Sequence, residues 1–208
     1  MATDSLVLQM RAKRSEMMAS ELEAIALRLF EERGFADVTV EDIASEAHIS
    51  ARTFYRYFPT KEDVLQLQID RRSDALRTAL AARPVDEAPL HSLRVALEEV
   101  AMAEDKALLR RWITVIQATP SVVKGVLGGI QLKSQRAIAE FFGTRLALPA
   151  DDVVPTMLAA AAGGVIQAAQ TRWFFQGGDL PTALSDALDV LERGVGTDPK
   201  TWSTHAAR

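Results

Sequence analysis

The sequence of 208 residues contains no cysteine, which excludes both a disulfide framework and a cysteine-ligated metal site. A chain without cysteine fits a reducing compartment, and we expect a cytoplasmic protein. No run of about 18 apolar residues occurs, so we expect no membrane-spanning helix. The first 17 residues carry their basic side chains after a very short apolar patch, which is the wrong order for a signal peptide.

Histidine is scarce, and the familiar catalytic motifs are missing. The three histidines, His48, His91 and His205, are scattered along the chain. No H-E-x-x-H, G-x-S-x-G or P-loop pattern occurs. Asp151 and Asp152 fit a loop and a helix start better than a catalytic pair. We therefore predict no catalytic residues, no metal site, no cofactor and no enzymatic activity.

Positive charge is also in short supply. The chain has a formal net charge of −4, and residues 1–70 hold eight basic and thirteen acidic side chains. Bulk charge therefore draws neither the whole chain nor its N-terminal part to nucleic acid. Any contact with DNA has to come from the local placement of a few basic residues.

Strand-like alternation and sequence repeats are absent, whereas apolar residues recur at helical spacing along nearly the whole chain. We predict an all-α fold of about nine helices, with a small N-terminal module and a larger C-terminal one. Glycine and proline mark several helix ends, as at Gly34, Pro120 and Pro181. The predicted helices cover approximately residues 15–33, 39–47, 50–58, 61–82, 90–103, 106–119, 120–146, 155–176 and 181–195.

Residues 39–58 have the pattern of a helix-turn-helix, two short helices joined by about three residues. Thr39 with Asp42, and Ser50, supply predicted N-terminal caps. The link contains His48, a residue that tolerates the positive φ such a turn often uses. The apolar residues predicted to face the first helix are Ile43, Ala44, Ala47, Ile49, Phe54 and Phe58.

Residues 50–58 read SARTFYRYF and hold both tyrosines of the chain, two phenylalanines and two arginines. Phe54 and Phe58 are four residues apart and therefore share the inner face of a helix. Arginine can bond bidentately to guanine, and tyrosine and threonine hydroxyls reach phosphates. The opposite face is predicted to contact DNA through Ala51, Arg52, Tyr55 and Arg56, with Thr53 and Tyr57 on its flank.

Further contacts with the phosphate backbone are predicted outside this helix. Thr39 and Lys61 stand at helix starts, and Arg11, Lys13 and Arg14 form a predicted basic arm before the first helix. Helices rich in arginine and aromatic residues also occur as protein–protein surfaces. On spacing alone, both interpretations stay open.

The segment from Phe35 to Leu65, FADVTVEDIASEAHISARTFYRYFPTKEDVL, resembles the DNA-binding signature of the TetR family of bacterial transcriptional regulators almost position by position. The resemblance implies that residues 50–58 form the recognition helix and that Tyr55 and Lys61 contact phosphates. The positions at which the family reads bases are occupied here by Ala51, Arg52, Thr53 and Tyr57.

Two positions depart from the family pattern. Many members have glycine where His48 stands, and a small residue is common where Arg52 stands. The first change leaves the fold intact. The second predicts a guanine in each half of the DNA site.

The resemblance further implies that the rest of the chain forms an effector pocket and a dimer interface. We accordingly predict an N-terminal helix-turn-helix DNA-binding domain over residues 1–62 and a ligand-binding and dimerisation domain over residues 63–196. The helix 61–82 links the two, and residues 197–208 form a flexible tail.

Residues 108–131 and 141–152 are more loosely similar to a TetR subgroup whose C-terminal domain binds acyl-CoA-like ligands. That similarity implies an apolar tunnel with a few polar contacts. For any single residue, a place in an ordinary core is the commoner case, and that alternative stays open. The candidate lining residues are Trp112, Ile116, Gln117, Phe142 and Gln167.

The last two long helices are implied to pair with their copies in a dimer. Gly163 and Gly164 each cost a helix about 1 kcal/mol relative to alanine, so we expect a packing reason for them. An intramolecular core is the alternative to a dimer contact for the apolar stripe of the last helix. This stripe consists of Leu180, Leu184, Ala187, Leu188 and Leu191.

These observations predict a homodimeric, ligand-responsive transcriptional regulator, a repressor that binds a palindromic double-stranded DNA operator. A small apolar effector, such as an acyl-CoA or fatty-acyl compound, is expected to release it. No membrane partner is expected. The alternative is a helical protein–protein interaction module without specific DNA binding.

Overall fold

The computed structural model describes the backbone of residues 2–193, and side chains over residues 6–119 and 133–192. The predicted tail, residues 197–208, lies outside this range. Residues 2–193 contain nine helices and no strand, which confirms the all-α prediction. The helices are α1 (Ala2–Arg33), α2 (Val40–Glu46), α3 (Ala51–Tyr55), α4 (Asp63–Ala81), α5 (Pro89–Ala103), α6 (Lys106–Ala118), α7 (Pro120–Leu146), α8 (Val153–Gln176) and α9 (Leu180–Arg193).

The first helix begins earlier than the sequence pattern predicts. It starts at Ala2 and not near Ser15, because the intervening residues include good helix formers and no proline or glycine. The prediction that the basic arm lies before the first helix is therefore wrong. Its three cations lie on the exposed N-terminal part of α1, and they are Arg11, Lys13 and Arg14.

Capping bonds confirm the predicted helix ends at Gly34, Thr39 and Thr60. Gly34 ends α1 with a φ of 88° and donates its backbone N–H to Phe30. Thr39 and Asp42 form a reciprocal capping box at the start of α2. The same exchange of side-chain bonds recurs between Thr60 and Asp63 at the start of α4.

The described residues divide into two compact units, and the first is discontinuous in sequence. It combines the chain up to residue 72 with residues 105–130, whereas residues 73–104 and those from 131 onward form the second. Helix α4 contributes residues to both units. The predicted domain boundary after residue 62 stays a prediction.

The core of the first unit is built around α1. Leu22, Leu27 and Leu29 are almost completely buried there, and they share one core with residues of α2, α3, α4 and α6. The indole Nε1–H of Trp112 on α6 donates to the backbone carbonyl of Leu65 at 2.9 Å. Helix α6 thereby completes the unit that contains the helix-turn-helix.

The second unit buries α9 between α5 and α8. Leu180, Leu184 and Leu188 are at most 2% exposed within the single chain. These leucines are therefore not available for a dimer contact, and the intramolecular alternative is correct for them. Arg94 of α5 also pairs with Asp189 and Glu192 of α9.

Helix α8 is, by length and composition, apolar enough to cross a membrane. The sequence predicts no membrane-spanning helix, because no run of about 18 apolar residues occurs. Only 22% of the most apolar stretch is buried within the chain. Core helices of soluble proteins can be equally long and apolar, so length and composition alone do not indicate a membrane-spanning helix.

Candidate DNA-binding surface

The turn between α2 and α3 has the predicted conformation. His48 has a φ of 55°, which confirms the expectation of a positive φ at this position. The backbone N–H of His48 donates to Ser45, and that of Ile49 donates to Ala44 at 2.9 Å. These bonds close the turn and direct the chain into α3.

Helix α3 begins at the predicted cap. The hydroxyl oxygen of Ser50 accepts from the backbone N–H of Thr53 at 3.1 Å. Hydrogen bonds from Tyr57 and Phe58 to the carbonyl of Phe54 extend the helical turn beyond Tyr55. Phe58, the last residue of the predicted helix, therefore belongs to the final helical turn that follows α3.

The two phenylalanines of α3 and its final turn face inward, as predicted. Phe54 is fully buried and Phe58 is 4% exposed, and their ring centroids lie 5.6 Å apart. Both belong to the core of the first unit. Burial of this face fixes which residues point outward.

The outward face of α3 carries the predicted recognition residues. Arg52, Tyr55 and Arg56 are exposed, and Ala51, Thr53 and Tyr57 are half-buried beside them. The guanidinium of Arg56 lies 5.0 Å from the Tyr57 ring centroid, and its Nη2 donates to the Tyr57 hydroxyl at 3.2 Å. Among the residues whose side chains the structure describes, none bonds to Arg52, which leaves all its donors available to DNA.

Three other predicted contact residues have partners within the protein. The Thr53 hydroxyl lies 2.9 Å from that of Ser50. The Thr39 hydroxyl donates to Asp42 at 2.6 Å and lowers the pKa of that carboxyl. The Lys61 ammonium donates to backbone carbonyls of the α1–α2 segment. The DNA contacts of these residues stay predictions.

An ion pair with a buried carboxylate in the first unit was not predicted from the sequence. Glu23 of α1 is completely buried, and it pairs with Arg71 near the middle of α4. Burial raises the pKa of Glu23, and Arg71 opposes that rise. The signal was present, because Glu23 occupies the same helical stripe as buried Ala26, Leu27 and Phe30.

The predicted ligand-site residues belong to different units. Trp112 and Ile116 lie in the core of the first unit, and Gln117 is exposed on the same helix. Phe142 is buried in the second unit, and Gln167 is exposed on α8. For Trp112 and Ile116, packing in the core of the first unit accounts for their burial. A ligand role for any of the five residues stays a prediction.

Helix α8 presents an open cleft of about 530 Å³ along its exposed face. A Cβ added at Gly164 would meet no atom within 4 Å, whereas one at Gly163 would lie 3.4 Å from Gln135. The packing reason expected for Gly164 is therefore not found among the described residues of the chain. The cleft is lined by Gly164, Gln167, Ala168, Thr171, Arg172, Phe175 and Gln176.

Two family models match the chain. The model described as bacterial regulatory proteins of the tetR family matches residues 24–67, which include the helix-turn-helix. The model of the MftR C-terminal domain matches residues 87–196, more than half of the chain.

Similar proteins extend over most of the chain. The transcriptional regulator TcmR of Streptomyces glaucescens is 28% identical over 202 residues, which cover 91% of this chain and 89% of TcmR. A TetR-family regulator from Syntrophomonas wolfei has a TM-score of 0.66 at 15% identity, covering 88% of this chain and 98% of that one. The repressor FadR from Thermus thermophilus, solved with lauroyl-CoA, has a TM-score of 0.55 at 24% identity, over 87% of this chain and 97% of FadR. The two structural similarities show a shared fold.

Proposed function

The chain belongs to the TetR family of bacterial regulatory proteins and is a DNA-binding transcriptional regulator, and we propose that it is a homodimeric repressor released by a small apolar effector. The observation that carries the proposal is the outward face of α3. It combines Arg52, which bonds to none of the described side chains, with exposed Tyr55 and Arg56 on a helix whose other face is buried in the core. The relatives are transcriptional regulators.

DNA recognition by this face follows from its chemistry. Arg52 supplies a planar donor pair that fits the O6 and N7 acceptors of guanine in the major groove. Tyr55 supplies a hydroxyl for a phosphate, and Ala51 and Thr53 leave room for close approach at the start of α3. A symmetric dimer would present two such helices about 34 Å apart, which requires a palindromic operator.

The dimer is proposed to form through the exposed face of α8. Met157 and Phe175 are 59% and 68% exposed, and the helix surface between them is largely alanine and glycine. Small residues let two helices approach closely, and Gly164 has open space above it. Burial against a second copy also explains why so apolar a helix is exposed, without a membrane. A cytoplasmic location is proposed on the same grounds.

The effector is proposed to be apolar, and an acyl-CoA or fatty-acyl compound is the first class to test. FadR of Thermus thermophilus, which shares the fold, was solved with lauroyl-CoA. An effector that binds more tightly to a conformation with misplaced DNA-binding units shifts the protein toward that conformation. The loss of operator affinity is set by the ratio of the effector's affinities for the two conformations. Helix α4, continuous from Asp63 to Ala81, joins residues of both units and would carry the change.

The test of DNA recognition is selection of operator sites from genomic DNA. Purified protein is incubated at moderate salt with sheared DNA of the source organism, and the retained fragments are sequenced. We expect one palindromic motif with half-sites about one helical turn apart. Retention that is diffuse and salt-sensitive would instead support the protein–protein interaction alternative.

Arg52→Ala then tests the residue assignment on the selected operator. The variant is expected to bind about 1–3 kcal/mol more weakly and to discriminate less at the guanine position. Gel-shift titrations with wild-type and base-substituted operators measure both effects. Wild-type affinity and specificity in this variant would show that Arg52 does not read a base.

The effector class is tested by thermal unfolding. A fatty-acyl-CoA present at about 100 times its Kd is expected to raise Tm by about 5–10 °C, since it binds the folded state alone. Coenzyme A without an acyl chain serves as the control. An unchanged Tm across a series of chain lengths would rule out the acyl proposal and leave DNA recognition untouched.

A further inference from the structure

His48 is an exposed residue of the turn between α2 and α3. Its neighbours in sequence, Ala47 and Ile49, are partly buried and pack against the core of the first unit. The backbone N–H of His48 donates to the carbonyl oxygen of Ser45 at 3.1 Å. That of Ile49 donates to Ala44 at 2.9 Å. These contacts fix the backbone of the turn and leave the His48 side chain on its solvent side.

The backbone of His48 has a conformation that suits glycine better. Its φ of 55° lies in the left-handed region, which histidine tolerates better than most residues but which only glycine adopts without a steric cost. No described side chain bonds to the imidazole in return. Glu46, two residues earlier, pairs instead with Arg28 at 2.5 Å. Packing and bonding within the described part of the chain therefore do not account for the imidazole.

The turn that carries His48 lies beside the end of α3 that is proposed to approach DNA. Ala51 begins α3 three residues after His48, so the Cα atoms of these two residues lie within about 11 Å of each other. The major groove is about 12 Å wide, and phosphates line both of its edges. A helix that inserts its first residues into the groove therefore brings the preceding turn close to one edge. The imidazole N–H is a donor that suits a phosphate oxygen.

We propose that His48 donates a hydrogen bond to the phosphate backbone of the operator and adds to the contacts made by α3. The proposal rests on the proposed function, because it requires that α3 enters the major groove. The contact contributes affinity and reads no base, in contrast to that of Arg52. Because the imidazole bonds to no described side chain, its removal should weaken DNA binding without lowering the stability of the fold.

The first experiment measures thermal unfolding of the full-length protein without DNA. His48→Gly is expected to unfold at the wild-type Tm or up to about 4 °C above it. Glycine relieves the positive φ, and this gain offsets the greater freedom of glycine in the unfolded chain. A Tm clearly below that of wild type would show that the imidazole stabilises the turn. Weaker DNA binding would then follow from a displaced α3, and the proposal would be overturned.

The second experiment measures affinity for the selected operator by gel-shift titration. His48→Gly is expected to bind about tenfold more weakly, since a dimer loses one hydrogen bond in each half-site. The loss should be equal on base-substituted operators, because a phosphate carries no base identity. His48→Gln, whose amide also supplies N–H donors, is expected to recover part of the affinity.

Arg52→Ala on the same operator separates this proposal from the proposed function. If Arg52→Ala binds more weakly while His48→Gly binds like wild type, the regulator assignment stands and the His48 contact is overturned. A loss in His48→Gly that is confined to the selected sequence would also overturn the contact, because it would indicate that His48 reads a base.

Discussion

Arg71→Met is expected to lower the free energy of unfolding by about 3 kcal/mol. The substitution leaves the carboxylate of Glu23, which is completely buried, without its cation. Arg71 is 31% exposed, so the effect should lie at the lower end of the range for fully buried pairs. Urea unfolding followed by circular dichroism measures it.

The double variant Glu23→Met, Arg71→Met is the matched control. It removes both charges at similar volume, and replacement of a buried pair by apolar residues is often neutral or stabilising. We expect it to recover most of the stability lost in Arg71→Met. A double variant as unstable as the single one would show that packing by Arg71, and not its charge, stabilises the first unit.

The loss of stability should also depend on pH in a defined direction. Burial holds the pKa of Glu23 above its ordinary value of 4.5, and removal of Arg71 takes away the opposing effect. Folding of the variant therefore takes up a proton, and its stability relative to wild type falls as pH rises through the folded-state pKa of Glu23, which lies above 4.5 in wild type and higher still without Arg71. An equal deficit at pH about 5 and about 8 would contradict this assignment.

Gly164→Leu is expected to convert the proposed dimer into a monomer. A Cβ added at Gly164 meets no described atom within 4 Å, so the fold should be kept and the helix favoured by about 1 kcal/mol. A second copy could no longer approach α8 closely. Loss of the second half-site should weaken operator binding about 100-fold or more. Analytical ultracentrifugation and gel shifts measure the two effects.

Gly163→Ala is the matched control at the neighbouring position. Its Cβ would make an ordinary contact, 3.4 Å from the side chain of Gln135 in the same chain. This variant should gain similar helix propensity and remain dimeric. If Gly164→Leu also remained dimeric, the interface would have to lie elsewhere than on this face of α8.

Local features of the fold were predictable because they depend on neighbouring residues. The Thr39–Asp42 capping box and the Ser50 cap follow from hydroxyl and carboxylate groups beside free backbone N–H groups. The positive φ of His48 follows from the shortness of the turn. These three positions orient α3, so the outward face of the recognition helix was predictable too.

Features that depend on distant parts of the chain were not predictable. A stripe of leucines at Leu180, Leu184 and Leu188 shows that one face of α9 is covered, but not by what. The structure covers it with α5 and α8 of the same chain. Lys61 similarly gave no sign in sequence that its partners are carbonyls more than twenty residues earlier.

A chimeric regulator that takes residues 1–82 from this chain and the remainder from a relative would omit α6. The side chains of Trp112, Val115 and Ile116 fill part of the core behind the helix-turn-helix. The transplanted block would expose the apolar surface that these residues cover, unless the sixth helix of the relative happened to fit it. Operator preference in this protein is therefore open to change by substitutions on α3, and not by exchange of one contiguous N-terminal segment.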